Sequence, residues 1–187
     1  LLSCRMNPAI LYSLQSGCFI RGFLLHCLTC CFGIDKDLGT KKCIGKYVNP
    51  VTEGTFAMED TPNIGESMVE NPGVYCKSAN VSVLAANGKT PLITLNQFGA
   101  GKAMYLSSFR VSKESTRFLM RALLTLLGKE DKVRDYICDN LYTECAYYKE
   151  IDKLVVINNS GDTQKTVIKT AKGDVTVELA PFATKIL

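Results

Sequence analysis

NQFGAGKAMYLSSFRVSKESTRFLMRALLTLLG, residues 96–128, reads as one complete supersecondary unit, and the flanking chain is read from it. An apolar run over residues 91–95 leads into Phe98-Gly99-Ala100-Gly101, and a second run follows over residues 103–106. Two apolar runs joined across paired glycines predict a β-hairpin, because glycine takes the positive φ of a tight turn without steric cost. A helix follows. Ser112 can cap it, Glu114 lies in the first turn at the positive end of the macrodipole, and Gly128 stands where a left-handed residue ends such an element. Phe118, Leu119, Ala122, Leu123, Leu126 and Leu127 recur at helical spacing, so this face is expected to lie on the sheet that the hairpin begins.

Gly99-Ala100-Gly101-Lys102 is not a phosphate loop. Such a loop needs a longer glycine-to-Gly-Lys spacing, a Ser or Thr after the lysine and a helix start on which the amides can wrap phosphate. Here Lys102 opens a strand and the helix arrives ten residues later.

Upstream, residues 74–77 and 81–85 read as short strands, and Asn87-Gly88 as the turn into the hairpin. Residues 44–72 are rich in Gly, Pro, Asn and Glu and predict irregular loop with short extended pieces such as 54–58. Glu59, Asp60 and Glu66 gather there. Two neighbouring carboxylates can act as acid and base on a glycosidic bond, and a solvated acidic loop has the same composition. Downstream of Lys129-Glu130-Asp131-Lys132, β-type runs at 141–148, 154–157, 166–169, 175–179 and 182–186 predict a small antiparallel sandwich. Turns over 158–162 and 172–174 separate two of the strand pairs. Tyr136, Tyr142, Tyr147 and Tyr148 can form a sugar-stacking platform or anchor a core edge. Asn80-Val81-Ser82 and Asn158-Asn159-Ser160 match the glycosylation acceptor pattern, which carries weight only in a secreted chain.

Residues 1–34 differ from the rest: they contain no Asp or Glu and show no sustained period. Arg21, Gly22 and His26 interrupt the apolar stretch 19–34, which falls short of the roughly 20 residues that span a bilayer, so no membrane segment is expected. Cys27-x-x-Cys30 with His26 and Cys31 suggests a metal site, but only Cys43 lies nearby as a further ligand, and a closed zinc site wants a second pair. Residues 1–32 are therefore read as an atypical leader. The chain opens Leu1-Leu2 without an initiator methionine and is expected to be part of a longer protein.

The 187 residues are 47% hydrophobic and 21% charged, enough for a packed core. A net charge of +4, with Lys41, Lys42 and Lys46 as its densest cluster, gives no nucleic-acid footprint. Nine cysteines, an odd count weighted to the first 43 residues, fit reduced thiols in a cytoplasmic protein. His26 is the only histidine, so no Ser-His-Asp, Cys-His or His-rich metal site can be assembled, and no dinucleotide fingerprint occurs.

The hairpin and helix resemble the central-domain segment of the 1,3-β-galactosyl-N-acetylhexosamine (galacto-N-biose/lacto-N-biose) phosphorylases. That family repeats N-x-F-G-x-G-[KR]-x-x-Y-[IL]-S, a short loop, and N-T-R-x-L-x-R-A-[IL]-L. The matching positions are Asn96, Phe98, Gly99, Gly101, Lys102, Tyr105, Leu106 and Ser107, then Thr116, Arg117, Leu119, Arg121, Ala122, Leu123 and Leu124. Gly33-Ile34-Asp35-Lys36-Asp37-Leu38-Gly39 is similar to a second family phrase, and Ala146-Tyr147-Tyr148 with Val155-Val156-Ile157-Asn158-Asn159 to the opening of the family's C-terminal β domain. Ser115 departs from the family's usual Asn. Residues 1–32 match only at Gly17-Cys18-Phe19-Ile20, as a shifted reading frame upstream of Phe32 would produce.

The resemblance implies an α/β fold, the C-terminal part of an amidotransferase-like central domain over residues 33–132, followed by an all-β sandwich over residues 133–187. It implies phosphorolysis of a β-galactoside to α-galactose 1-phosphate with inversion, the catalytic acid lying in an N-terminal (β/α)8 barrel. No catalytic, cofactor-binding or metal-binding residue of this chain follows from it. Inorganic phosphate is the co-substrate, the disaccharide and phosphate are met through the barrel, and a homodimer contact is possible for this portion. The F-G-x-G-[KR] phrase also occurs in β-galactosidases with an amidotransferase-like middle domain. Two rival readings are thus an accessory domain of a β-galactosidase and a free-standing carbohydrate-binding or assembly module.

Overall fold

The computed structural model describes residues 9–13, 30–37, 39, 45–133 and 135–187. It is mostly β-sheet and divides into two units, Leu1–Gly128 and Lys129–Leu187. In the first unit β1 (Ala9–Ser13), β4 (Ser82–Asn87), β5 (Thr90–Phe98) and β6 (Gly101–Leu106) form a sheet in the order β1-β6-β5-β4. The β1–β6 pairing is parallel and the others antiparallel. A second, two-stranded sheet pairs β2 (Ile34–Lys36) with β3 (Val74–Cys76).

The predicted hairpin forms with Phe98 opposite Gly101, leaving Gly99 and Ala100 as a two-residue turn with Gly99 at φ 57°. Asn87 pairs with Thr90 in the same way around Gly88 at φ 56°. Lys102 lies within β6, as the exclusion of a phosphate loop requires. Residues 103–106 are buried without a break because both faces of β6 are covered. Ala103 and Tyr105 face a cluster with Phe32, Ile34 and Val74, while Met104 and Leu106 face one with Phe118, Ala122 and Leu126.

The helix, α1 (Lys113–Leu127), has the ends the sequence predicts: Ser112 at the N-cap and Gly128 in the left-handed conformation, with its N–H donating to the carbonyls of Leu124 and Thr125. Ser115, the departure from the family pattern, closes a reciprocal capping box. Its amide donates to Ser112 Oγ at 3.1 Å and its own Oγ accepts from the Ser112 amide at 2.7 Å. The inward face differs from the expectation. Phe118, Ala122 and Leu126 are buried together with Arg121 and Thr125, whereas Leu123 and Leu127 are 39% and 45% exposed. Leucines run round this helix, so hydrophobic spacing alone does not choose among its faces. Residues 56–58 also differ, forming a buried 3₁₀ turn (Phe56–Met58) in place of an extended piece.

Two phrases distant in sequence meet at Gly33. It sits at φ 65°, and a Cβ there would lie 2.4 Å from Val81 Cγ2 and 3.0 Å from Asn96 Cγ. Asn96 Nδ2 donates to the Cys31 carbonyl at 2.8 Å, ending the helical residues 30–32. Glycine is required by both the dihedral angle and the close approach.

The second unit is a small sandwich of two antiparallel three-stranded sheets. One has the order β11-β10-β7, from β7 (Ile137–Cys138), β10 (Gln164–Thr170) and β11 (Gly173–Leu179). The other has the order β12-β9-β8, from β8 (Thr143–Tyr148), β9 (Lys153–Asn158) and β12 (Thr184–Ile186). Leu154 and Val156 of β9 alternate inward to meet Cys138, Ile168, Val177 and Leu179 of the facing sheet. Only β7 has no counterpart in the predicted runs, since two residues are too short to show a period.

Candidate functional site

A concavity of the first unit lies where the loop after Phe56–Met58 passes the start of α1. Asp60, Asn63, Ser67, Ser112 and Glu114 line it, with a volume of about 300 Å³. Its position follows from α1 itself. Arg121 sits on the inward helix face, 4% exposed, and an apolar face that carries a guanidinium needs an acidic partner. Asp60 supplies it: Arg121 Nε donates to Oδ2 at 2.5 Å and Nη2 to Oδ1 at 2.8 Å, a two-pronged pairing. Nη1 reaches Glu59 Oε2 at 2.9 Å and the Phe56 carbonyl at 3.4 Å, and the guanidinium lies 4.5 Å from the centre of the Phe56 ring. Arg117, one turn earlier, stands 3.7 Å from Asp60 Oδ2.

Of the three carboxylates singled out from the sequence, the structure brings Glu59 and Asp60 together on Arg121, while Glu66 is exposed on the next 3₁₀ turn. Both Asp60 oxygens are occupied by the guanidinium, which leaves this pair a clamp on the helix. Glu114 is the other acid of the cleft. Hydrogen bonds from its own amide and from Ser112 hold its carboxyl below the ordinary range, opposite to what a general acid for glycoside cleavage needs. The arrangement fixes the loop to the helix.

In the second unit the tyrosines separate. Tyr136 and Tyr147 stack with ring centres 4.1 Å apart and planes 3° from parallel, at the edge of the sandwich core. Tyr142 and Tyr148 are exposed. Tyr147 donates to Asp152 Oδ1 at 2.7 Å, and Lys172 Nζ donates to Asp152 Oδ2 at 3.0 Å. These partners hold the Asp152 carboxyl below its ordinary range, Tyr147 being the larger cause, and Asp152 in turn raises the Tyr147 phenol. The lowered folded value means that the contribution of Asp152 to stability is present above the unfolded carboxylate range and is lost as pH falls through the folded value. In Tyr147→Phe, the Asp152 carboxyl followed by NMR is expected to titrate at higher pH than in the unaltered chain; an unchanged midpoint would show that the hydroxyl has no such effect.

Asn158 is 1% exposed, and its Nδ2 donates to the carbonyls of Asp162 at 2.7 Å and Ala180 at 2.8 Å. The acceptor pattern at residues 158–160 is therefore a turn lock whose amide is already used; Asn80 is exposed. His26, Cys27, Cys43, Lys41, Lys42 and residues 17–20 lie outside the described residues. Cys30 is exposed and Cys31 buried, and among the described residues no group of three or more side chains could hold a metal ion. Lys46, the described member of the basic cluster, contacts Asp37 at 2.5 Å and lies 5.3 Å from the centre of the Tyr75 ring. No helix of the described residues is long and apolar enough to cross a membrane.

A sheet covered by a clamped helix, followed in the chain by a small sandwich, is the class of architecture these units define. Residues 21–131 match the lacto-N-biose phosphorylase central domain and residues 136–187 the lacto-N-biose phosphorylase C-terminal domain. The chain belongs to the lacto-N-biose phosphorylase family. It is 33% identical over 158 residues to the D-galactosyl-beta-1->4-L-rhamnose phosphorylase of Lachnoclostridium phytofermentans, covering 83% of this chain and 21% of that protein. It is 32% identical over 171 residues to the 1,3-beta-galactosyl-N-acetylhexosamine phosphorylase of Bifidobacterium longum subsp. longum, covering 75% of this chain and 23% of that protein. The beta-galactosidase of Rahnella sp. R3 aligns in structure over 91% of this chain and 26% of its own, with a TM-score of 0.42 and 19% identity. This chain thus spans about a fifth of the length of the curated relatives it matches.

Of the family-matching positions, Asn96 to Leu106 fall on the β5–β6 hairpin, Ser107 directly after it, and Thr116 to Leu124 on α1. The motif is thereby a description of one packed unit. What sequence reasoning missed is the role of Arg121; its signal was a cation in register with Phe118 and Ala122, paired with two adjacent acids upstream.

Proposed function

We propose that this chain is a non-catalytic portion of a cytoplasmic inverting phosphorylase that cleaves β-galactosides of the galacto-N-biose/lacto-N-biose type with inorganic phosphate. The observation that carries the reading is the consecutive match to the central and C-terminal domains of that family. The state of the carboxylates at the cleft agrees with it: Glu59 and Asp60 are engaged by Arg121, and Glu114 is held in its ionised form. The central part is read as amidotransferase-like, with this portion positioning the catalytic barrel. In the proposed reaction a carboxylic acid of the barrel protonates the leaving oxygen as the glycosidic bond breaks. Phosphate oxygen forms the new bond to the anomeric carbon from the opposite face, which gives α-galactose 1-phosphate and the free second sugar. No base is needed to activate water, because the nucleophile is already an anion.

The test is a pair of assays with lacto-N-biose and inorganic phosphate. The chain alone is expected to release no galactose 1-phosphate. A chimera of the Bifidobacterium longum relative in which residues 33–187 replace the corresponding segment is expected to retain phosphorolysis. Turnover by the chain alone would overturn the non-catalytic role, and release of free galactose in place of the phosphate ester by the chimera would favour a hydrolytic parent.

A further inference from the structure

We propose that the cleft beside the start of α1 binds a single neutral sugar ring, a hexopyranose. Thr61 lines the cleft and is 5% exposed, and its Oγ1 is buried without a hydrogen-bond partner. Buried hydroxyls are ordinarily satisfied, so one left without a partner beside a cavity marks a place for an atom from outside the chain. Asn63 also lines the cleft. It is exposed and makes no side-chain bond to the 3₁₀ turn that it precedes, so its carboxamide can both donate and accept there. Ser67 Oγ donates to the Ile64 carbonyl at 2.8 Å and keeps its lone pairs as acceptors. Pro62 and Ile64 place apolar surface among these groups.

This mixture selects the ligand. A pyranose has an apolar C–H face and hydroxyls that each donate and accept, which suits apolar surface set among a carboxamide and hydroxyls. An anion does not fit. Glu114, in the first turn of α1, lines the cleft with its carboxyl held below the ordinary range, so phosphate would meet a like charge where the helix dipole is already answered. The same carboxylate is a strong acceptor for a sugar O–H. A divalent cation finds too few ligands: both Asp60 oxygens are taken by Arg121, and among the described residues no group of three or more His, Cys, Asp or Glu side chains could hold a metal ion. A volume of about 300 Å³ lies at the lower end for ligand clefts and admits one ring, not a chain. One ring held by a few hydrogen bonds places the dissociation constant on the order of 1–10 mM.

Titration of the isotope-labelled full chain with D-galactose and with D-glucose, followed by NMR in a buffer without phosphate, tests this. The amides of Thr61, Asn63 and Glu114 are expected to shift together and to saturate in the millimolar range. Thr61→Val keeps the shape of the side chain and removes the hydroxyl. It should weaken binding by roughly fivefold or more while the urea unfolding midpoint stays or rises, because no internal hydrogen bond is lost. Asn63→Ala, at an exposed position, should weaken binding by a similar factor. Separate titrations with inorganic phosphate and with calcium chloride should leave these amides unmoved. The readout is binding and not turnover, so its result and that of the phosphorolysis assays can fail independently. No saturable shift with either hexose overturns the proposal, and so does a shift with phosphate or calcium in place of the sugars. Binding that both variants leave unchanged overturns it too. A lowered unfolding midpoint in Thr61→Val would do the same, by showing that the hydroxyl is used within the fold.

Discussion

Arg121→Ala is expected to destabilise the first unit by about 3–5 kcal/mol, the usual consequence of removing one partner of a buried ion pair. The reason lies in what stays behind. The Asp60 side chain is 13% exposed and would keep its charge in a site that no longer neutralises it, while Glu59, 48% exposed, can turn to solvent. Arg117 stands 3.7 Å from Asp60 and offers a partial substitute, which sets the lower end of the range. Arg121→Lys is expected to rescue little, because an ammonium cannot make both prongs of the contact to Asp60. Urea unfolding followed by the helical circular dichroism signal measures the effect. The control is the double change Arg121→Met/Asp60→Leu, which removes both charges and is expected to cost less than the two single substitutions added together, by about 1–3 kcal/mol of coupling. Strict additivity would show that the pair does not hold the loop to the helix.

Phe118→Ala is expected to cost a similar amount, about 3–5 kcal/mol, through a different mechanism. Phe118 is fully buried and packs among Ala57, Met58, Ile64, Ile93, Met104 and Leu106, so its ring joins the 3₁₀ turn, the loop and the sheet in one cluster. Truncation leaves a cavity bounded on one side by strands β5 and β6, which cannot close on it without breaking their ladder. Leu123→Ala, on the same helix, is expected to change stability by less than about 0.5 kcal/mol at dilute protein, since Leu123 is 39% exposed. Equal losses at the two positions would contradict the assignment of the inward face.

This contrast shows what sequence periodicity can resolve. Leu119, Leu123, Leu124 and Leu127 are as apolar as Phe118, and a helix rich in leucine has no single face by composition. The face was decided by Arg121 and Thr125 turning inward, and Arg121 does so because Asp60 waits in a loop sixty-one residues upstream. The sequence left Glu59, Asp60 and Glu66 open between acid–base work and a solvated loop for the same reason: adjacency in sequence says nothing of the cation that the fold brings to Glu59 and Asp60. Asn158 gives a parallel case. Its acceptor pattern is local, but the carbonyls of Asp162 and Ala180 that use its amide come together only when β9 and the chain after β11 do. The tyrosines illustrate it again, since only Tyr136 and Tyr147 meet as rings.

The sequence by itself determined the local devices: both glycine turns, the start and end of α1, the strands of the sandwich from β8 to β12, and the family. Each depends on dihedral preference, capping or alternation within a few residues, and such terms act before any tertiary contact exists. The tertiary structure alone decided which helix face is buried, that Gly33 must admit Val81 and Asn96, and that Arg121 draws Glu59 and Asp60 together. Those outcomes depend on groups many residues apart in the chain, whose desolvation and charge are set only when the chain closes around them.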